Sequence, residues 1–156
     1  MSKHIATDDF TKQLFEFLDE TFEHGHGIYL DKGTSLFETL DKMSAEDASR
    51  PNSANSVSIA SMVEHIRFFN QVCDDSMRLH KVGKVNWQDS WKLHEVTHEE
   101  WEQLKIHLKT AYQRLLTLLK GFDAWKGEDE ISDSLSILVH TAYHLGAIRK
   151  SMHVVK

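Results

Sequence analysis

Three histidines carry the chemistry legible in this chain. In "HTAYHLGAIR", residues 140–149, His140 and His144 stand four residues apart. On a helix, successive residues turn by about 100°, so these two imidazoles project about 40° apart, one turn above the other. A helix offers two ligands to one metal ion in this way. Chance also produces such pairs in a chain with 11 histidines, so a third ligand is needed. His65 in "SIASMVEHIRFF" supplies it, flanked by the apolar Met62, Ile66 and Phe69 of another helical segment. Three protein nitrogens plus one free position is the composition of an open, catalytic-type site rather than a closed structural one. Neutral imidazoles suit Zn, Ni, Fe or Cu. We expect a divalent transition metal, zinc or nickel first, with iron or manganese behind them. Each ring must be neutral to coordinate, so affinity is expected to fall as pH drops through about 6.5.

Other residues offer less. His24 and His26 in "HGHG" read as solvated groups at a helix end. Glu95 and His98 make one Glu-x-x-His, whereas a di-iron bundle site needs two such pairs and two further glutamates. There is no H-E-x-x-H, no Gly-rich phosphate loop and no G-x-S-x-G. Glu64 adjoins His65 but points about 100° off its face, so no general base is identified. Arg149, five residues beyond His144 and so about 140° away, is a candidate for binding an anionic substrate group. Trp87, Trp91 and Trp101 read as core or crossover anchors. Cys73, the only cysteine, reads as a small buried hydrophobe. Gly146 lies inside a helical segment, where glycine costs about 1 kcal/mol relative to alanine. Close approach by a neighbouring helix or a ligand would compensate.

The elements that must position these groups are helical. Phe10, Leu14, Phe17, Leu18 and Phe22 form an apolar stripe on a first helix, Thr7 to His24, ended by Gly25 and Gly27. A short helix, Ser35–Met43, follows, and "SAEDASRPNSANSV" reads as a polar loop. Helix two runs from Ser56 or Ser58 to His80. Helix three opens on a capping box, Thr97 and Glu100, and stops at Gly121. Its apolar residues Trp101, Leu104, Leu108, Ala111, Leu115, Leu118 and Phe122 alternate steps of three and four, a heptad seam. Helix four, from Ser132 or Asp133 to Met152, carries Leu135, Leu138, Val139, Ala142, Leu145 and Ile148. Four amphipathic helices and no strand pattern predict an all-α chain, a four-helix bundle in a single domain spanning residues 1–156. The linker from Lys81 to Val96 is long enough to leave helices two and three parallel.

Composition excludes several classes. The chain has 156 residues, is 40% hydrophobic and 27% charged, and carries a net charge of −6. That acidity is unlike the basic footprint of a nucleic-acid binder. No apolar run approaches the length of about 20 residues that spans a bilayer. With one cysteine and no signal-like apolar stretch in "MSKHIATDDF", a cytoplasmic location is expected.

The segments "SIASMVEHIRFF" and "HTAYHLGAIR" together resemble the helix-two histidine segment and the last-helix H-x-x-x-H-x-G segment of the DinB/YfiT-like metalloenzymes. "DSWKLHEVTHEEWEQLK" is similar to the tryptophan-bearing connector of that family, and the likeness covers the whole chain in order. The resemblance implies an up-down-down-up four-helix bundle and a metal site held by His65, His140 and His144. It also implies a homodimer. Where many members have glutamine in "HxGQ", this chain has Ala147. The family includes thiol S-transferases, thiol-dependent isomerases and hydrolases, so the resemblance implies a small-molecule substrate, a low-molecular-weight thiol among the candidates. The expected function is a metal-dependent hydrolase or thiol-dependent transferase. The alternative is a non-catalytic metal-binding or stress-response bundle.

Overall fold

Side-chain caps and glycines set most of the helix boundaries. The computed structural model describes residues 3–125 and 127–154, and among these it contains helices and no strand. In order they are α1 (Thr7–Phe22), α2 (Leu36–Leu40), α3 (Ala45–Ser49), α4 (Ile59–Leu79), a 3-10 turn (Trp87–Trp91), α5 (His98–Lys120) and α6 (Gly127–Val154). The Ser35, Ser44, Ser58 and Thr97 side chains each accept a backbone N–H of the first turn they precede. These bonds satisfy donors that a helix start otherwise leaves free. At Thr97 the expected capping box with Glu100 is present. His80, in the left-handed region at φ 52°, ends α4.

Contacts along the long helices define their relative senses. Phe10 packs edge-on against Trp125, Lys120 lies over Phe15, and Phe22 stacks on Tyr112. α1 therefore runs opposite to α5. The Ser58 hydroxyl donates to the carbonyl of His94, just before α5, while Asp74 pairs with Arg114 in its second half. α4 and α5 therefore run in the same sense, joined by the long linker. His65 meets His140, and Ser76 meets Asp133, so α6 runs opposite to α4. The core between them includes the fully buried Leu18, Phe22, Ile66, Trp101, Leu108 and Ile137. No helix among the described residues is long and apolar enough to cross a membrane.

Four expectations need correction. Two short helices, not one, lie between α1 and α4. Ser44 caps the second of them, and Ala45 and Ala48 give that supposedly polar loop a buried face. The buried row on α5 is Trp101, Leu104, Leu108, Tyr112, Leu115 and Leu119. It takes Tyr112 and Leu119 in place of Ala111 and Leu118 while keeping Leu115, because a straight helix of 3.6 residues per turn drifts off a 3.5 repeat. α6 begins at Gly127, earlier than expected. Its residues Leu135 and Val139 face outward, 40% and 63% exposed, while Ile137, Thr141 and Ile148 take the core.

Candidate metal centre

His65 lies near the middle of the inward face of α4, with Ile66 buried beside it. His140 and His144 come from the antiparallel α6. The structure brings all three together: one nitrogen from each ring lies within 4.8 Å of the others. Nε2 of His65 and Nε2 of His140 are 3.0 Å apart. A metal bonded at about 2.0–2.1 Å to tetrahedral nitrogens would hold them about 3.4 Å apart, so small side-chain shifts would close the three around an ion. His65 and His144 are each only 8% exposed, and His140 is half-buried.

Aromatic rings fix the imidazoles. Trp91 stacks on His65 with centroids 3.9 Å apart, and Phe69 stacks on His140 at 3.8 Å. Tyr143 meets His144 edge-on, and Trp87 packs against Phe68 and Phe69. Nδ1 of His65 lies 2.7 Å from the fully buried Ser90 hydroxyl. Burial pushes His65 down to about 4, and the neighbouring His144 adds to the shift. Burial, then His144 and His65, pushes His140 down to about 3. Burial also lowers His144. The rings are therefore neutral at pH 7, as coordination requires. For His65 and His140 the neutral form extends well below the ordinary histidine range.

Two observations fit a bound cation. Nδ1 of His140 is buried with no hydrogen-bond partner. His144 makes no hydrogen bond among the described residues, although it is nearly buried. Buried polar atoms are normally paired, so three clustered imidazoles that lack a full set of partners fit a ligand site.

The remaining candidates lie elsewhere. Arg149 is half-buried, one turn beyond His144, and has no hydrogen bond or ion pair among the described residues. No contact joins it to the three rings. Glu64 is held by a bidentate pair to Arg67, both bonds 2.7 Å. His24 and His26 pair with Asp19 at the surface. Cys73 is buried, and burial together with Asp133 raises its thiol to about 12, an inert state. A side chain at Gly146 would meet nothing within 4 Å, so no neighbouring helix makes a close approach there. Ser90 was not picked out from sequence, and Phe69 was read only as an apolar neighbour of His65. The only signal was "WQDSW", where a serine between two tryptophans sits in a connector rather than a helix.

Comparison of the chain with protein-family models, with curated proteins and with solved structures found no match.

Proposed function

We propose that the protein is a metal-dependent enzyme holding one divalent first-row ion per chain on His65, His140 and His144, with an open position for substrate. The convergence of three neutral imidazoles from two antiparallel helices carries this reading. A divalent ion bound there would lower the pKa of a coordinated water or thiol. The chain itself contributes three uncharged nitrogens, aromatic walls that restrain them and limited access to water. Hydrolysis and thiol-dependent transfer are the two reaction classes we assign. Membership of the DinB/YfiT-like superfamily belongs to the same proposal. The relative senses of α1, α4, α5 and α6 support its up-down-down-up four-helix bundle, in one domain.

Metal content of reconstituted wild type beside His140→Ala tests the site. Close to one ion per wild-type chain and far less in the variant is expected; equal content would refute the assignment. Metal-loaded protein is then assayed with low-molecular-weight thiols plus an electrophile, and with hydrolysable esters. Turnover that His140→Ala abolishes is expected. A non-catalytic metal-binding role is the second reading, favoured by the engagement of Glu64 with Arg67, which leaves no identified base beside the rings. Full metal occupancy without turnover would select it.

We also propose a second copy of the chain as partner, in the cytoplasm. Ile131, Leu135, Val139 and Tyr143 recur every four residues on the outer side of α6, 39%, 40%, 63% and 75% exposed. A contiguous apolar stripe of this kind supports an interaction surface.

A further inference from the structure

We infer that Ser90 is a positioning residue for the metal centre: its hydroxyl holds His65 in the tautomer that presents Nε2 as a bare lone pair toward His140. The inference rests on the metal-site reading above and assigns a task to the crossover turn. A serine hydroxyl has one hydrogen to donate. Ser90 Oγ donates it to the carbonyl of Trp87, 2.7 Å away. The second contact, 2.7 Å to Nδ1 of His65, must therefore have the ring as donor. With the proton on Nδ1, Nε2 is left as an acceptor. Ser90 is fully buried, so water does not compete for either bond.

The neighbouring residue acts on the same ring. Trp91 lies nearly parallel to His65, with an interplanar angle of 19°. The 3-10 turn thus holds the imidazole by its edge through Ser90 and by its face through Trp91. His140 is held differently, by Phe69 on its face alone, with Nδ1 unpartnered. Because Nε2 of His65 accepts, the hydrogen in the 3.0 Å contact between the two rings belongs to Nε2 of His140. To coordinate through Nε2, His140 must relocate its proton to Nδ1, whereas His65 is already in its ligating form. Outer partners of this kind orient a metal-bound histidine, and their loss costs about 10–100-fold in metal affinity.

Ser90→Ala tests the assignment in the full chain by two readouts. Zinc titration against a competing chelator should show affinity about 10–100-fold below wild type, with helical circular dichroism unchanged. Long-range proton–nitrogen spectra of the metal-free protein should place the His65 proton on Nδ1 in wild type and on both nitrogens in the variant. Ser90→Gly, which also removes the hydroxyl and brings in no metal ligand, should move both readouts the same way. Unchanged zinc affinity in both variants, or a wild-type proton on Nε2, would overturn the inference. Wild-type protein that takes up no zinc would instead overturn the metal-site reading, and the spectra would still decide the tautomer.

Discussion

Glu20 and the three histidines are both buried polar centres, yet one is complete in itself and the other is not. Glu20 on α1 is fully buried. Its Oε1 accepts the backbone N–H groups of His26, Gly27 and Ile28 at 2.6–2.8 Å, and its Oε2 accepts that of Tyr29 at 2.9 Å. Burial alone would raise this carboxyl, but the four N–H dipoles outweigh it and hold the group below its usual range. The carboxylate pins the turn after α1, where Gly27 needs its positive φ of 91°. At the histidines, by contrast, neutral rings face one another and Nδ1 of His140 goes unpaired. A charge matched by four donors stabilises the fold; lone pairs without donors weaken it until something binds. The difference is the one expected between a structural polar group and the ligand site proposed for the histidines.

The largest expected effect is at the complete centre. Glu20→Ala removes one acceptor from four N–H groups, each costing about 1–3 kcal/mol if left unpaired, and some regain water. A loss of about 3–5 kcal/mol is expected from chemical denaturation, the same with and without metal. A loss under about 1 kcal/mol would show that the turn does not depend on this carboxylate.

Next comes the metal. An ion on the three rings would bridge α4 and α6 in the native state only, and would add about 2.7 kcal/mol at one hundred times the dissociation constant. For a domain of this size that is about 5–11 °C in melting temperature. Four apolar stripes already form the core, so chelation should lower the midpoint and leave the helices intact by circular dichroism. His65→Ala should abolish the gain. His140→Leu sharpens the contrast with Glu20: it removes an unpaired nitrogen along with a single bond to His65, so the metal-free protein should lose no more than about 1–2 kcal/mol while the metal-dependent gain disappears. A metal-free His140→Leu protein as damaged as Glu20→Ala would make the histidines structural.

The two centres should also separate by pH in metal-free protein. The histidines are neutral when folded and protonate near 6.5 when unfolded. Between 6.5 and about 4 the unfolded chain binds more protons, so stability falls as pH falls, by at most about 1.4 kcal/mol per unit per histidine. Glu20 has a depressed folded value, so its contribution is intact above the ordinary glutamate range, about 4.3, and is lost below it. Denaturation at pH 7, 5 and 3.5 in wild type and in His140→Leu distinguishes the phases: the variant should lose part of the upper one only.

Smallest for either centre is the outer stripe of α6. Val139→Glu, at an exposed position, should leave monomer stability within about 0.5 kcal/mol and metal content unchanged, while converting a dimer to monomer by light scattering. A wild-type monomer would dispose of the dimer proposal without touching the rest.

The sequence by itself determined what depends on neighbours along the chain. The four long helices follow from apolar spacing, Thr97 and Glu100 announce the start of α5, and the four-residue interval puts His140 and His144 on one face. Such features involve residues within a turn or two, where helical geometry is a fixed rule. Which of two adjacent apolar rows would be buried was less legible: α5 turns inward on Tyr112 and Leu119, and α6 leaves Leu135 and Val139 in solvent, because only a neighbouring helix chooses the face. Tertiary structure alone decided the partners distant in sequence. Ser90 is 25 residues from His65, and His65 is 75 from His140. Glu20 was not singled out from sequence, because its partners are assembled only when the turn at 26–29 folds its N–H groups over it. A hydrogen bond needs atoms within about 3 Å, and the chain's order places no such limit on residues that far apart.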